Sequence, residues 1–191
     1  MPRAQSDTKA EIQAVALDLF ARKGFERTSL REIAERLGIT KAALYYHFPS
    51  KNDLLKSLVE PLVQDMGDLF ATYGDEPEEI PEGGPGRARE LLGDYFDICV
   101  RHRTLLVAVL DDVGSLAAVG LIDAVVAWRR RLDRLLAGPD RGVPARMGAV
   151  IALGGIQDVS VRLSAEEALA HREHALDSAL AALVCGISQK D

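Results

Sequence analysis

Residues 28–48, TSLREIAERLGITKAALYYHF, decide the fold, because they read as two short helices joined by a tight turn. Ser29 with Glu32 three residues later is the pattern of a capping box, in which each side chain satisfies a backbone N–H at the other's position. Leu30, Ile33, Ala34 and Leu37 follow at the i, i+3, i+4, i+7 spacing of a single apolar stripe. Gly38 can take the left-handed conformation that closes a helix. Ile39 anchors the turn, and Thr40 can cap a second helix over 41–47. At about 100° per residue that second helix turns Leu44 and Phe48 inward and Ala42, Tyr45 and Tyr46 outward.

An outward face of that composition suits a DNA groove. Ala42 and Ala43 let the backbone come close and can touch a thymine methyl, Lys41 can reach guanine acceptors or a phosphate, and the tyrosine hydroxyls can bond phosphate oxygens. Pattern alone also admits a plain three-helix packing unit with tyrosines at its rim.

The surrounding residues extend the motif. Over 9–56 the chain resembles the N-terminal DNA-binding domain of TetR-family transcriptional regulators. The matching residues are Ala16 to Phe20 (Ala-x-x-Leu-Phe), Gly24-Phe25, Thr28-Ser29, Ile33-Ala34, Gly38-Ile39, Ala43-Leu44-Tyr45-Tyr46-His47-Phe48, and Lys51 with Leu54-Leu55. With the helical wheel, the resemblance implies a DNA surface in which Lys41, Ala42, Ala43, Tyr45 and Tyr46 face the groove. Thr28, Ser29, Thr40, His47 and Lys51 then lie nearer the phosphates, and Arg31 reaches toward a base edge.

Working outward, Thr8 with Glu11 is a second capping pattern, and Ile12, Val15, Ala16, Leu19 and Phe20 form a stripe ending at Arg22-Lys23-Gly24. Ser50 with Asp53 opens a connecting helix over about 51–73, with Leu54, Leu55, Leu58, Leu62 and Leu69 near one side. Pro61 falls inside it, where the missing N–H should bend the axis. The run GDEPEEIPEGGPG over 74–86 is acidic and rich in Pro and Gly, so it reads as a loop. Helical patterns follow at about 87–102, 104–113, 116–137, 144–163 and 165–186, the last capped by Ser164 with Glu167. The fold class is therefore all-α, with about nine helices. A three-helix DNA-binding head occupies 1–50 and a helical body 51–191, which the resemblance implies is an effector-binding and dimerisation domain.

The 191 residues are 48% hydrophobic and 27% charged, the composition of a soluble globular chain. No stretch approaches the roughly 18 apolar residues of a membrane span, and the first residues lack a signal-type apolar run. The expected location is cytoplasmic. The net charge of −6 divides unevenly: residues 1–60 hold ten Lys and Arg against eight Asp and Glu, whereas 61–191 hold thirteen against twenty-one. A slightly basic head on an acidic body would orient the chain on DNA.

Other groups have plainer readings. Cys99 and Cys185 have no metal-type spacing and read as buried free thiols. Arg129-Arg130-Arg131 reads as a solvated helix face, with Asp133 pairing Arg129 at i, i+4, and Trp128 as core or pocket wall. His171 and His174 lack the His-Glu-x-x-His order of a zinc helix, so no metal and no cofactor are expected. Asp111-Asp112 and Gln157, Asp158 and Ser160 interrupt apolar helices, either as hydrogen-bonded structure or as polar contacts of a ligand. No nucleophile with base and orienter is present, so no enzymatic activity is expected.

The resemblance also implies a homodimer on palindromic operator DNA, a small-molecule effector, and repression. The effector cavity would be lined by Leu69, Phe70, Tyr95, Phe96, Leu110, Trp128, Gln157 and Asp158. The dimer interface would draw on Met147, Val150, Ile151, Gly154 and Gly155 from one helix and Leu176, Leu180, Leu183, Val184 and Ile187 from another. The alternatives are a helix-turn-helix protein without an effector, architectural or constitutive, and an enzyme carrying a DNA-binding head.

Overall fold

A computed structural model describes residues 5–74, 86–110, 117, 120–138 and 142–188; among these every regular element is an α-helix. In chain order they are α1 (Gln5–Lys23), α2 (Leu30–Leu37), α3 (Lys41–His47), α4 (Lys51–Tyr73), α5 (Gly86–Arg101), α6 (Arg103–Leu110), α7 (Ile122–Ala137), α8 (Gly142–Arg162), α9 (Ala165–Ala170) and α10 (Arg172–Ser188). The acidic run at 75–85, Asp111-Asp112 and residues 139–141 lie outside the described residues.

Three sequence expectations need correction. Thr8 lies inside α1, which already starts at Gln5, so Thr8 and Glu11 do not mark its first turn. The helix expected from 116 begins at Ile122, after Gly120 at φ 72°. The helix expected over 165–186 divides at His171, whose backbone (φ −114°, ψ 21°) ends α9 before α10 begins. At the start of α9 the capping box is complete: Ser164 Oγ accepts from Glu167 N–H at 3.2 Å, and the Glu167 carboxylate accepts from Ser164 N–H at 2.9 Å.

The chain packs as two compact units, residues 1–63 with 104–122, and residues 64–103 with 123–191. Packing thus draws its line elsewhere than the boundary at residue 50 that function would set.

In the first unit Ile12, Ala16, Phe20, Phe25, Ile33, Leu44, Leu54 and Leu55 form the centre of a buried cluster that α6 joins through Leu105, Ala108 and Val109. Each large side chain so buried stabilises the unit by about 1.5–3 kcal/mol relative to exposure. Phe20 and Phe25 meet edge to face, ring centres 5.1 Å apart, and close the corner between α1 and α2. Helix α4 continues through Pro61. Proline has no N–H to give the carbonyl four residues back, that of Ser57. Gln13 of α1 reaches that position, donating to Ser57 O at 3.4 Å and to Ser57 Oγ at 3.0 Å.

In the second unit α8 packs mainly on α10 and also on α5. The seam is made of small residues: Ala145, Gly148, Ala149 and Ala152 recur at i, i+3, i+4, i+7, and all are buried. A Cβ on Gly148 would stand 2.8 Å from Ala182 O and 3.1 Å from Leu183 Cα, so only glycine allows this approach. Arg172 crosses over Gly93 and grips Asp97 with two parallel bonds of 2.9 Å, the planar fork that guanidinium and carboxylate favour. The last carbonyls of α4 are taken by arginines: Arg131 donates to Phe70 O (3.3 Å) and Gly74 O (3.2 Å) while stacking 4.1 Å over the Phe70 ring, and Arg87 donates to Tyr73 O (3.2 Å).

Candidate functional site

Helix α3 is built as a presented element. Ser29 Oγ accepts from Glu32 N–H at 3.2 Å to start α2, while the Glu32 carboxylate takes the Lys23 ammonium. Gly38 ends α2 at φ 65°, with its own N–H and that of Ile39 returned to carbonyls of the last turn. Thr40 Oγ1 then accepts from Ala43 N–H at 3.1 Å and starts α3. These caps fix the sharp entry of a helix of seven residues, too short to be stable by itself. Leu44 and Phe48 anchor it in the core, and Lys41, Ala42, Tyr45 and Tyr46 are exposed, as the wheel predicts. Tyr46 is 72% exposed and Tyr45 49%. The rings of Tyr46 and His47 stand edge to face, 5.4 Å apart, at the end of the helix. Ala43 and His47 are half-buried at the margins of this face. Arg31 stands on the exposed side of α2, bonded to Glu35 at 2.6 Å; that hydrogen bond raises its pKa, and the pair is open to solvent.

Two residues expected near phosphates are used inside the fold instead. Thr28 is 2% exposed, and its hydroxyl donates to Gly24 O at 2.9 Å, closing the end of α1. Lys51 donates to Phe25 O at 2.8 Å and Glu26 O at 3.3 Å, with its ammonium 4.2 Å from the centre of the Phe25 ring. It clamps the turn before α2. Both contacts join residues distant in sequence or rest on a loop carbonyl, which no periodicity reveals.

In the body, Leu69, Phe70, Tyr95 and Phe96 are buried, and Trp128 and Gln157 are half-buried. Gln157 Oε1 accepts from Tyr95 OH at 3.2 Å. Cys99 lies beside this pair, and burial pushes its thiol up to about 12; Tyr95 is raised by burial as well. Asp158 departs from the expectation of a cavity residue, lying on an exposed face and paired with Arg162 at 3.3 Å. Ser160 is the buried polar residue of this segment, satisfied by donating to Ile156 O at 2.8 Å. The side chain of Leu110 lies outside the described residues. Arg129 and Arg131 are not the solvated face expected: both turn inward, Arg129 to Val150 O at 3.2 Å and Arg131 to the end of α4, while Arg130 stays exposed.

The faces expected to pair two copies divide. On α8, Met147 (58% exposed), Val150, Ile151 (58%) and Gly155 point outward, and Gly154 is partly covered. Neither Gly154 nor Gly155 is a close-approach site within the chain; that role belongs to Gly148. On α10, Val184 is exposed, whereas Leu176, Leu180 and Leu183 are buried against the chain's own helices. Their stripe packs inside the chain, so Leu180→Glu would set a charge within that packing. The side chain of Ile187 lies outside the described residues. Cys185 is exposed, contrary to the buried thiol expected, and Cys99 is buried. His171 and His174 are both exposed, one at the break before α10 and one upon it. Missed by the sequence reading was Val143, which extends the Met147, Val150 and Ile151 row by one turn and is exposed.

Comparison with known proteins bears on both parts of the chain. The family described as "Bacterial regulatory proteins, tetR family" matches residues 12–58. The chain is 33% identical over 119 residues to the HTH-type transcriptional regulator AcrR of Shigella flexneri, covering 59% of this chain and 54% of that protein. It is 30% identical over 116 residues to the HTH-type transcriptional repressor KstR2 of Rhodococcus jostii (strain RHA1), covering 60% and 54%. The chain thus spans about half the length of these relatives. In fold it is similar along its whole length to a TetR-like transcriptional regulator from Rhodococcus sp. RHA1, with a TM-score of 0.69 at 23% identity and complete coverage of both chains. No helix among the described residues is long and apolar enough to cross a membrane.

Proposed function

We propose that the chain, whose residues 12–58 match the tetR family of bacterial regulatory proteins and whose fold is similar to that of a TetR-like regulator, is a transcriptional regulator of that family that binds a palindromic operator as a homodimer, represses transcription there, and is released by a small-molecule effector. What carries this reading is the outward face of α3, where Lys41, Ala42, Tyr45 and Tyr46 project from a helix held by two caps and two buried anchors. Exposed tyrosines of that size, beside alanines that let the backbone approach, suit phosphate and base-edge contact. Ser29, Thr40 and His47 flank them, and Arg31 can leave its exposed Glu35 partner for a base at little cost. One such helix reads only a few base pairs, so two are needed, set on half-sites about one helical turn or more apart. The bare apolar row of Val143, Met147, Val150 and Ile151 on α8 supports the pairing of two copies.

The effector acts in the body, among Tyr95, Phe96, Trp128 and Gln157. It releases DNA only by its differential affinity for the two arrangements of the heads. By reciprocity, operator weakens effector binding by the same factor. The function assigned here is regulation and not catalysis, in the cytoplasm where operator DNA is found.

The test is selection of bound duplexes from a random DNA pool with the full chain. An inverted repeat should emerge, bound with an affinity that falls steeply with salt. Tyr46→Ala and Lys41→Ala should each weaken binding to it, and Lys41→Ala should relax the preference at one base position by about 1–3 kcal/mol if it reads a guanine. Recovery of no repeat, or unchanged affinity in both variants, would reject the reading.

A further inference from the structure

In the first unit most basic side chains are already held. Asp18 takes Arg22 at 2.7 Å and Arg36 at 3.5 Å, Glu32 takes Lys23, Glu35 takes Arg31 at 2.6 Å, and Lys51 is turned onto the carbonyls of Phe25 and Glu26. Helix α3 itself contains one lysine, Lys41, and no arginine. Duplex DNA carries one negative charge per about 1.7 Å of its axis. With Lys51 spent inside the fold, the expected surface is short of charge for phosphates.

Lys9, Arg27, Lys41 and Lys56 make no ion pair among the described residues of this unit. Of these, Lys9 reaches the end of α3 from another helix. It is exposed on α1, and its ammonium stands 5.9 Å from the centre of the ring of Phe48, the residue whose N–H closes α3 on Leu44 O at 2.9 Å. Phe48 is only 3% exposed, so its ring is a fixed post in the core. The apolar stem of a lysine can lie along such a ring while its charge stays in water. At this distance the attraction between ammonium and ring is near the limit of its range, so the ring orients the side chain and leaves its three donors unspent.

A helix with its side chains is about 10–12 Å across, and the major groove is about 12 Å wide. A helix lying there fills the groove, so cations set beside its ends from neighbouring elements meet phosphates and not base edges. We propose that Lys9 is a phosphate anchor of the DNA-binding unit, donating to the backbone of the strand that passes the C-terminal end of α3, the kind of contact expected of Lys51. The inference rests on the DNA-binding reading above and deepens it, by placing a contact on α1, outside the helix-turn-helix. Such a contact fixes the register of α3 and adds affinity without sequence preference.

The experiment titrates the full chain, Lys9→Met, Lys9→Arg and Lys51→Ala against the selected duplex over a series of salt concentrations, with thermal unfolding of each. Methionine keeps an apolar stem over Phe48 and removes the charge. Each phosphate neutralised adds about 0.9 to the slope of log affinity against log salt. Lys9→Met should therefore flatten the slope by about 0.9 per bound subunit, with its greatest loss of affinity at low salt. Its ranking of base substitutions in the operator and its unfolding temperature should match the wild type. Lys9→Arg should keep the wild-type slope, and so should Lys51→Ala. A wild-type slope in Lys9→Met overturns the anchor. If its unfolding temperature also falls, Lys9 serves packing on Phe48 instead. A changed base ranking in Lys9→Met would make the residue a reader of bases, and a flattened slope in Lys51→Ala alone would return the contact to Lys51; either result overturns the assignment. A wild-type chain that selects no duplex, or binds it with an affinity indifferent to salt, overturns the DNA-binding reading itself and the anchor with it.

Discussion

Helix α3 in the head and helix α8 in the body both present apolar or aromatic groups to solvent, yet only in the first could the sequence say which side would be bare. On α3 the apolar set is one-sided: Leu44 with Phe48 goes in, Ala43 and His47 lie at the margin, and Lys41, Ala42, Tyr45 and Tyr46 go out. On α8 there are two apolar rows, the small one of Ala145, Gly148, Ala149 and Ala152 and the large one of Val143, Met147, Val150 and Ile151. Hydrophobicity alone would bury the larger row, because it removes more area from water. The chain buries the smaller one, since small residues let α8 approach α10 closely. On α8 the row of Val143, Met147, Val150 and Ile151 is the one left bare, and the choice is made by backbone distance.

The sharpest way to break that comparison is to fill the seam. Gly148→Val sets a side chain against the backbone of Ala182 and Leu183, and should destabilise the body by about 3 kcal/mol. Gly155→Val, at a position with open space around it, should lie within about 0.5 kcal/mol of wild type. Calorimetric unfolding that ranked the two alike would mean the small row is not what holds α8.

Next comes a pair of lysines that the sequence places on one DNA surface, Lys41 at the groove and Lys51 nearer the phosphates. Lys51→Ala removes the clamp on Phe25 and Glu26 and should cost about 1.5 kcal/mol of stability, with little change in operator affinity once folded. Lys41→Ala should do the reverse. A urea titration beside a DNA titration of both variants separates fold from function, and equal behaviour would erase the distinction.

Thr40→Ala removes the cap that starts α3 and should cost about 1 kcal/mol. Because α3 is short, the same change should weaken operator binding more than its effect on unfolding suggests. Amide exchange at Ala43 is the direct check, and continued protection there would show that the core anchors alone hold the helix.

The smallest effect belongs to acid. At Asp65 burial opposes ionisation, but hydrogen bonds from His102 and Arg101, each 2.7 Å, outweigh it and hold the carboxyl below its usual range. A lowered folded value means the contribution is present above the unfolded value, near 4, and is lost as pH falls through the folded one. Asp65→Asn should therefore flatten the acid side of the stability profile and leave the neutral side parallel to wild type. An unchanged acid side would remove Asp65 from that account.

What could be read from the chain follows how local each signal is. Ser29, Gly38, Thr40, Ser50 and Ser164 act within three or four residues of themselves, and the caps stand where the sequence puts them. The wheel of α3 worked for the same reason. Thr28 and Lys51 failed because their partners are loop carbonyls set by the fold. Leu176, Leu180 and Leu183 failed because a helical stripe does not say whether its cover comes from the same chain. Ala145, Gly148, Ala149 and Ala152 are a legible signal, since four small residues at helical spacing mark a close approach, whereas of the adjacent glycines Gly154 meets only the end of Arg129 and Gly155 has open space around it. The arginines 129 to 131 looked like one charged run, and only the neighbouring carbonyls show that two of them turn inward.

The bond from Gln13 to the Ser57 carbonyl that Pro61 leaves without its helical donor ties a residue of α1 to two positions one turn apart on α4. Such a bond is inheritable only as a set. A lineage that lost the proline would restore the helical N–H and free position 13 to drift, while one that kept the proline would tolerate few residues there besides a donor of that reach. Covariation between positions 13 and 61 is thus the trace this bond should leave across related chains, a record of a backbone vacancy and the side chain recruited to fill it.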